Sequence, residues 1–217
     1  MKKSGFTLIE ALISLSILAV ILSFIYLSFF TAFRAKSYVE HRNAIYQIGR
    51  EILLHMQREI TSAYLSVSPA GSISPYTYFV GISDEWKGNP LDKLYFDSLS
   101  HVNIPIANGI LGSDYSAIGY DFKIDPDKTI VSMIRYETPF FTTAPLTQGP
   151  GFVVSDRVVS LTLLYFDSHV NQWTNQWDTR LSGRGYLPYA VLIEIILKDK
   201  SGAEIPFREI VHLRMAQ

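Results

Sequence analysis

Gly5-Phe6-Thr7-Leu8-Ile9-Glu10, preceded by Lys2 and Lys3, opens this chain, and from Ala11 to Phe33 not one charged residue follows. A hydrocarbon core about 30 Å thick needs roughly 20 apolar residues at 1.5 Å rise each. The 23 residues from 11 to 33 would reach about 34 Å as a helix, enough to span with some tilt. Glu10 stands at the edge of this run, with no basic residue in helical reach on its C-terminal side. A carboxylate near the bilayer core costs on the order of 2–3 kcal/mol, which marks it as a functional-site candidate.

An ordinary secretory signal has a 7–15-residue apolar region and a small-x-small cleavage site. The run here is about twice that long, and Ala32 and Ala35 are spaced three apart with Arg34 beside the second. A plain membrane anchor is the other simple reading. Orientation is not set by flanking charge, because Lys2 and Lys3 are balanced by Arg34, Lys36 and Arg42.

Outside the first 33 residues the chain carries 17 basic and 19 acidic side chains. That balance gives no electrostatic footprint for nucleic acid or an anionic membrane surface. The remaining 184 or so residues suffice for one domain with its own core. Tyr and Phe, 13 of each, point to strand-rich packing. With no cysteine in the chain, disulfides, thiolate metal sites and thiol nucleophiles are excluded.

No proline precedes Pro69, and Gly49 is the only glycine between Gly5 and Gly71. The spacing predicts an unbroken helix from Phe6 to Ala63, about 85 Å long and without a proline kink. Past Phe33 it turns amphipathic. Ile45, Ile48, Ile52, Met56 and Ala63 fall near one face, with Tyr38 and His41 upstream, while Arg42, Gln47, Arg50, Glu51, Gln57 and Arg58 occupy the rest. That half is expected to pack on a domain. Residues 66–75 read as a loop.

Strands are expected at 77–82, 93–98, 118–124, 129–137, 157–167, 189–198 and 207–215. The last alternates Phe207, Val211, Leu213 and Met215 against Arg208, His212 and Arg214. Val191, Ile193, Ile195 and Leu197 share a face, and Lys198-Asp199-Lys200-Ser201-Gly202 closes a hairpin between the last two strands. The expected fold is α+β: a long N-terminal helix packed on antiparallel sheet.

The basic leader, Gly5-Phe6, Glu10 and the long apolar helix together resemble the class III signal of type IV pilins and pseudopilins. The resemblance implies that a prepilin peptidase cuts between Gly5 and Phe6 and that Phe6 becomes N-methylated. Glu10 would then be the fifth residue of the mature chain, free to pair in a fibre with the N-terminal amine of a neighbouring subunit. Such a pair relieves the desolvation cost of both charges; the bland alternative is a Glu that snorkels to the headgroups. The implied segments are a leader (1–5), a membrane and assembly half (6–33), an amphipathic half (34–66) and a β-rich periplasmic domain (67–217).

Further along, Val158–Asp167, Trp173, Trp177-Asp178 and Leu187-Pro188-Tyr189-Ala190-Val191 resemble the C-terminal half of minor pseudopilin J of type II secretion systems. So, more loosely, do Lys93–Phe96 and Met133–Glu137. That resemblance implies a structural subunit of the pseudopilus tip, anchored once in the bacterial inner membrane and working in the export of folded proteins. Its implied partners are minor pseudopilins I and K, the peptidase and exoprotein cargo. A minor pilin of a type IV pilus or competence system shares the front end and remains the alternative.

Catalytic signatures are sparse. His41, His55, His101, His169 and His212 show no zinc spacing, and no nucleophile elbow or phosphate loop occurs. No enzyme activity, cofactor or nucleic-acid partner is expected. Asp121, Asp125 and Asp127 around Pro126 read first as a turn and only second as calcium ligands. Trp173 and Trp177 read as caps on the open end of the core, with an interface role as the alternative.

Overall fold

The computed structural model describes residues 8–66, 76–99, 115–125, 130–140, 142–147, 149, 151–181 and 185–215. They form an α+β fold in which one long helix, α1 (Leu8–Thr61), precedes antiparallel sheet. Chain contacts divide the molecule into two compact units, 1–44 and 45–217, and α1 contributes to both.

The strands are β1 (Phe79–Ile82), β2 (Glu85–Trp86), β3 (Asn89–Pro90), β4 (Lys93–Ser98), β5 (Ser116–Asp125) and β6 (Ile130–Thr138). There follow β7 (Gly151–Ser155), β8 (Val158–Asp167), β9 (Gln172–Thr174), β10 (Trp177–Asp178), β11 (Ala190–Lys198) and β12 (Glu204–His212). Six of them make one sheet in the order β10-β1-β4-β5-β6-β7, four make another in the order β12-β11-β8-β9, and β2 pairs with β3.

The 45–217 unit has one main core, fed by α1 and by both larger sheets. From the helix come Ile45, Ile52, Met56 and Ile60, with Ile48 half-buried and Ala63 just past the helix end. Ile45, Ile48, Ile52, Met56 and Ala63 are the residues expected on one stripe from the 3.6-residue spacing, and Ile60 joins them in the core. The side chains of Tyr38 and His41 lie outside the described residues. From the four-stranded sheet come Val191, Ile193, Ile195 and Leu197, all fully buried, opposite Tyr165, Leu163, Leu161 and Val158 of β8. Cross-strand apolar pairs on one face stabilise such a ladder.

Close approach explains the glycine inside the helix. A Cβ on Gly49 would stand 2.4 Å from Cζ of Phe207 on β12; only a residue without a side chain lets the ring cover the helix there. The helix then ends without a glycine, because the sheet takes over its orphan carbonyls. Ser98 Oγ donates to Glu59 O, Leu99 N–H to Ser62 O, and Arg214 N–H to Thr61 O.

The hairpin between β11 and β12 closes as expected. Asp199 Oδ1 accepts from the backbone N–H groups of Ser201 and Ala203, and Gly202 takes a φ of 91°. These bonds hold the exposed Asp199 carboxyl below its ordinary range, the Ser201 hydroxyl contributing most. So tight a turn starts the ladder at once, with Glu204 opposite Lys198. The last strand therefore runs three residues earlier than the alternation suggested. Leu213 is buried beyond its end and Met215 is 53% exposed, because the chain has left the ladder after His212.

The tryptophans divide. Trp177 is fully buried against Tyr165 and Tyr186 and donates its Nε1–H to Tyr186 O at 3.1 Å. Trp173 is 44% exposed and packs outside on Phe166. The expectation that both cap the core fails for Trp173: β9 pairs Trp173 with Phe166, whose side chain points away from the inward-facing Tyr165.

Candidate functional site

Among the described residues, two features stand out first: the apolar half of α1 and a buried cluster of charges. In the first, the stretch from Leu8 to Lys36 is long and apolar enough to cross a membrane, and none of it is buried. Four of its hydroxyls are turned inward on the backbone. Ser14, Ser16 and Ser23 donate to the carbonyls of Glu10, Leu12 and Ala19 at 2.8 Å, and Thr31 donates to that of Leu27 at 2.9 Å. Hydroxyls paired this way cost little in hydrocarbon, where water is absent.

At the C-terminal border of this stretch the Arg34 guanidinium sits 4.2 Å from the centre of the Phe30 ring. Tyr26 stacks on Phe30 and Phe29 on Phe33. Aromatic rings and an Arg at one end suit a membrane-water boundary. At the other end Glu10 occupies the first turn of α1, exposed. An acid there faces the positive end of the helix dipole. Gly5 and Phe6 lie outside the described residues.

The second place was not anticipated. Glu59 is almost fully buried on α1, where Arg135 Nε donates to its Oε1 at 2.9 Å. Arg135 Nη2 lies 2.6 Å from the same oxygen, an ion-pair contact rather than an aligned hydrogen bond. Nη1 donates to Glu137 Oε2 at 2.6 Å, and the Tyr120 hydroxyl donates to Glu59 Oε2. Burial pulls the Arg135 guanidinium down, but the carboxylates of Glu59 and Glu137 outweigh it and hold the cation firmly charged. Burial, with Glu59 adding to it, raises the Tyr120 phenol well above its ordinary value. Tyr120 and Arg135 thus stay protonated at neutral pH. The arrangement clamps the end of α1 to β5 and β6. Its signal in the sequence was available: Glu59 lies seven residues past Ile52 and three past Met56, on the apolar stripe itself, and a charge there needs a buried partner.

A second buried carboxyl, Asp97, takes the Tyr78 N–H at 2.7 Å and the Tyr115 hydroxyl. Burial pushes it up to about 6 against the pull of those two donors. Asp121 accepts from the Tyr95 hydroxyl at 2.7 Å and lies 3.5 Å from Lys93 Nζ. Pro126 and Asp127 fall outside the described residues, among which no group of His, Asp and Glu is placed to hold a metal.

Comparison with known families decides between the two places. A family model for the prokaryotic N-terminal methylation motif matches residues 1–26. The front of the chain is a prepilin-type, type IV pilin-like segment. Such a segment implies processing by a prepilin peptidase and assembly with other pilin-like subunits, and it points to a structural subunit. No curated protein matches the chain. The apolar front segment is therefore the candidate functional site.

Proposed function

We propose that this pilin-like chain is a minor pseudopilin of a type II secretion system, acting at the pseudopilus tip in the export of folded proteins. The observation that carries the reading is an apolar helix of membrane length, without a buried residue, behind a prepilin-type motif. So much exposed apolar surface needs a bilayer before assembly and other helices afterwards. In this reading Gly5–Phe6 is the cleavage site, Phe6 the methylated residue and Glu10 the group that docks the subunit on a neighbour's amine. The globular domain would stand in the periplasm beside minor pseudopilins I and K. The finer choice of pseudopilin J is supported by the strand and tryptophan pattern between 158 and 191.

Glu10→Val tests the docking role. Expression, cleavage and membrane insertion should persist while incorporation into the fibre is lost, read by shearing and immunoblotting. Normal incorporation would sink the idea. Gly5→Ala should leave a precursor heavier by the leader in a mass spectrum. Deletion of the protein should abolish exoprotein release; loss of surface pili with normal release would move the chain to a type IV pilus.

A further inference from the structure

The six-stranded sheet ends in β7, and among the described residues no strand pairs with its outer side. Exposed sheet edges invite pairing, and proteins blunt them with charge, proline or shortness. The other outer strands of the two larger sheets show those devices. β12 contains Pro206 with Glu204, Arg208 and Glu209, while β9 and β10 are three and two residues long. β7 shows neither charge nor proline, and its one irregularity is a register shift against β6 that leaves Val154 out of the pairing. Its sequence is Gly151-Phe152-Val153-Val154-Ser155, with Phe152 54% and Val153 58% exposed.

Beside this edge lies a groove of about 210 Å³, walled by Ile48 and Ile52 of α1 on one side and Phe152, Val153 and Val154 on the other. Arg135 lines it from below but is compensated by Glu59 at 2.6 Å. Glu51, exposed on the lining, accepts from Gln47 Nε2 at 2.9 Å and is the acid at its mouth, with His55 also on the lining. We propose that the groove binds an extended segment of another protein, apolar at alternate positions and flanked by a basic residue, which adds to β7 as a further strand. The open backbone edge supplies the hydrogen bonds, the apolar walls select alternate side chains, and Glu51 selects the basic flank. The groove lies wholly in the 45–217 unit, so it holds whether or not the apolar half enters a fibre.

The test uses the full chain in detergent and three labelled peptides of alternating Val and Thr. One is flanked by Lys, one by Glu, and the third is the Lys peptide with alternate backbone amides N-methylated. The Lys peptide should bind, the Glu peptide about threefold more weakly, since an exposed ion pair is a small term, and the methylated one not at all. Amides 151–155 should gain protection from hydrogen exchange only when the Lys peptide is present. Val153→Lys, at an exposed site, should abolish binding without changing the melting temperature, and Glu51→Lys should reverse the flank preference. Binding of the methylated peptide as tightly as its parent would overturn the proposal. So would no binding by any peptide, or amides 151–155 already protected in the free chain. A self-dimer dissolved by Val153→Lys would make a second copy the occupant and defeat it as well.

Discussion

Helix α1 changes character along its length. In the 1–44 unit none of the membrane-length stretch is buried, whereas from Ile45 onward Ile45, Ile52, Met56 and Ile60 are sealed in a core. The first half satisfies its polar groups within itself, through Ser and Thr bonds to carbonyls one turn back. The second half satisfies them across the fold, through Glu59 with Arg135 and Tyr120. One helix is thus apolar and exposed first and packed into a core afterwards, and mutations in the two halves should read out in different experiments.

The largest effect is expected from Arg135→Met. It leaves Glu59 buried without its cation and should cost about 3–5 kcal/mol in urea denaturation. Adding Glu59→Gln should recover part of that loss, and no recovery would mean that the clamp is not electrostatic. Next, Met56→Ala removes a fully buried side chain and should cost about 2–5 kcal/mol. Leu18→Ala, in the exposed half, should leave the domain's unfolding curve unchanged. Equal effects would erase the contrast between the halves.

Asp97 gives the domain a pH dependence of its own. Its folded carboxyl is raised to about 6 by burial, from an ordinary value of 3.8, so the folded state binds the proton more tightly than the unfolded chain. Its contribution to unfolding free energy therefore falls as pH rises from about 4 to 6, by on the order of 1–3 kcal/mol, and is flat above. Asp97→Asn should flatten that slope in melts taken across the window. Among the changes expected to affect the domain, the smallest is Gly49→Ala. The new methyl must push the Phe207 ring aside at a cost of about 1–2 kcal/mol, and an unchanged melting temperature would show that Phe207 moves freely.

Periodicity exposed the helix, its buried stripe and the hairpin turn because each depends on residues near one another in the chain. The inward face of β11 was legible for the same reason. The start of β12 was misplaced, since only the side-chain closure by Asp199 decides where pairing begins. The fates of Trp173 and Trp177 were equally hidden: their types are identical, and they part because Trp173 pairs with Phe166 at the edge of the four-stranded sheet while Trp177 pairs with Gly81 in the six-stranded one. The Glu59 clamp joins residues 76 positions apart, beyond any local pattern, although the acid on an apolar stripe hinted at it.

The amino-acid sequence by itself determined the apolar front helix and its motif, because both are local patterns read along the chain. Tertiary structure decided the rest: which charge is buried, which tryptophan is covered and which sheet edge is left open. Those outcomes depend on long-range strand order, and strand order emerges only when distant apolar faces find one another.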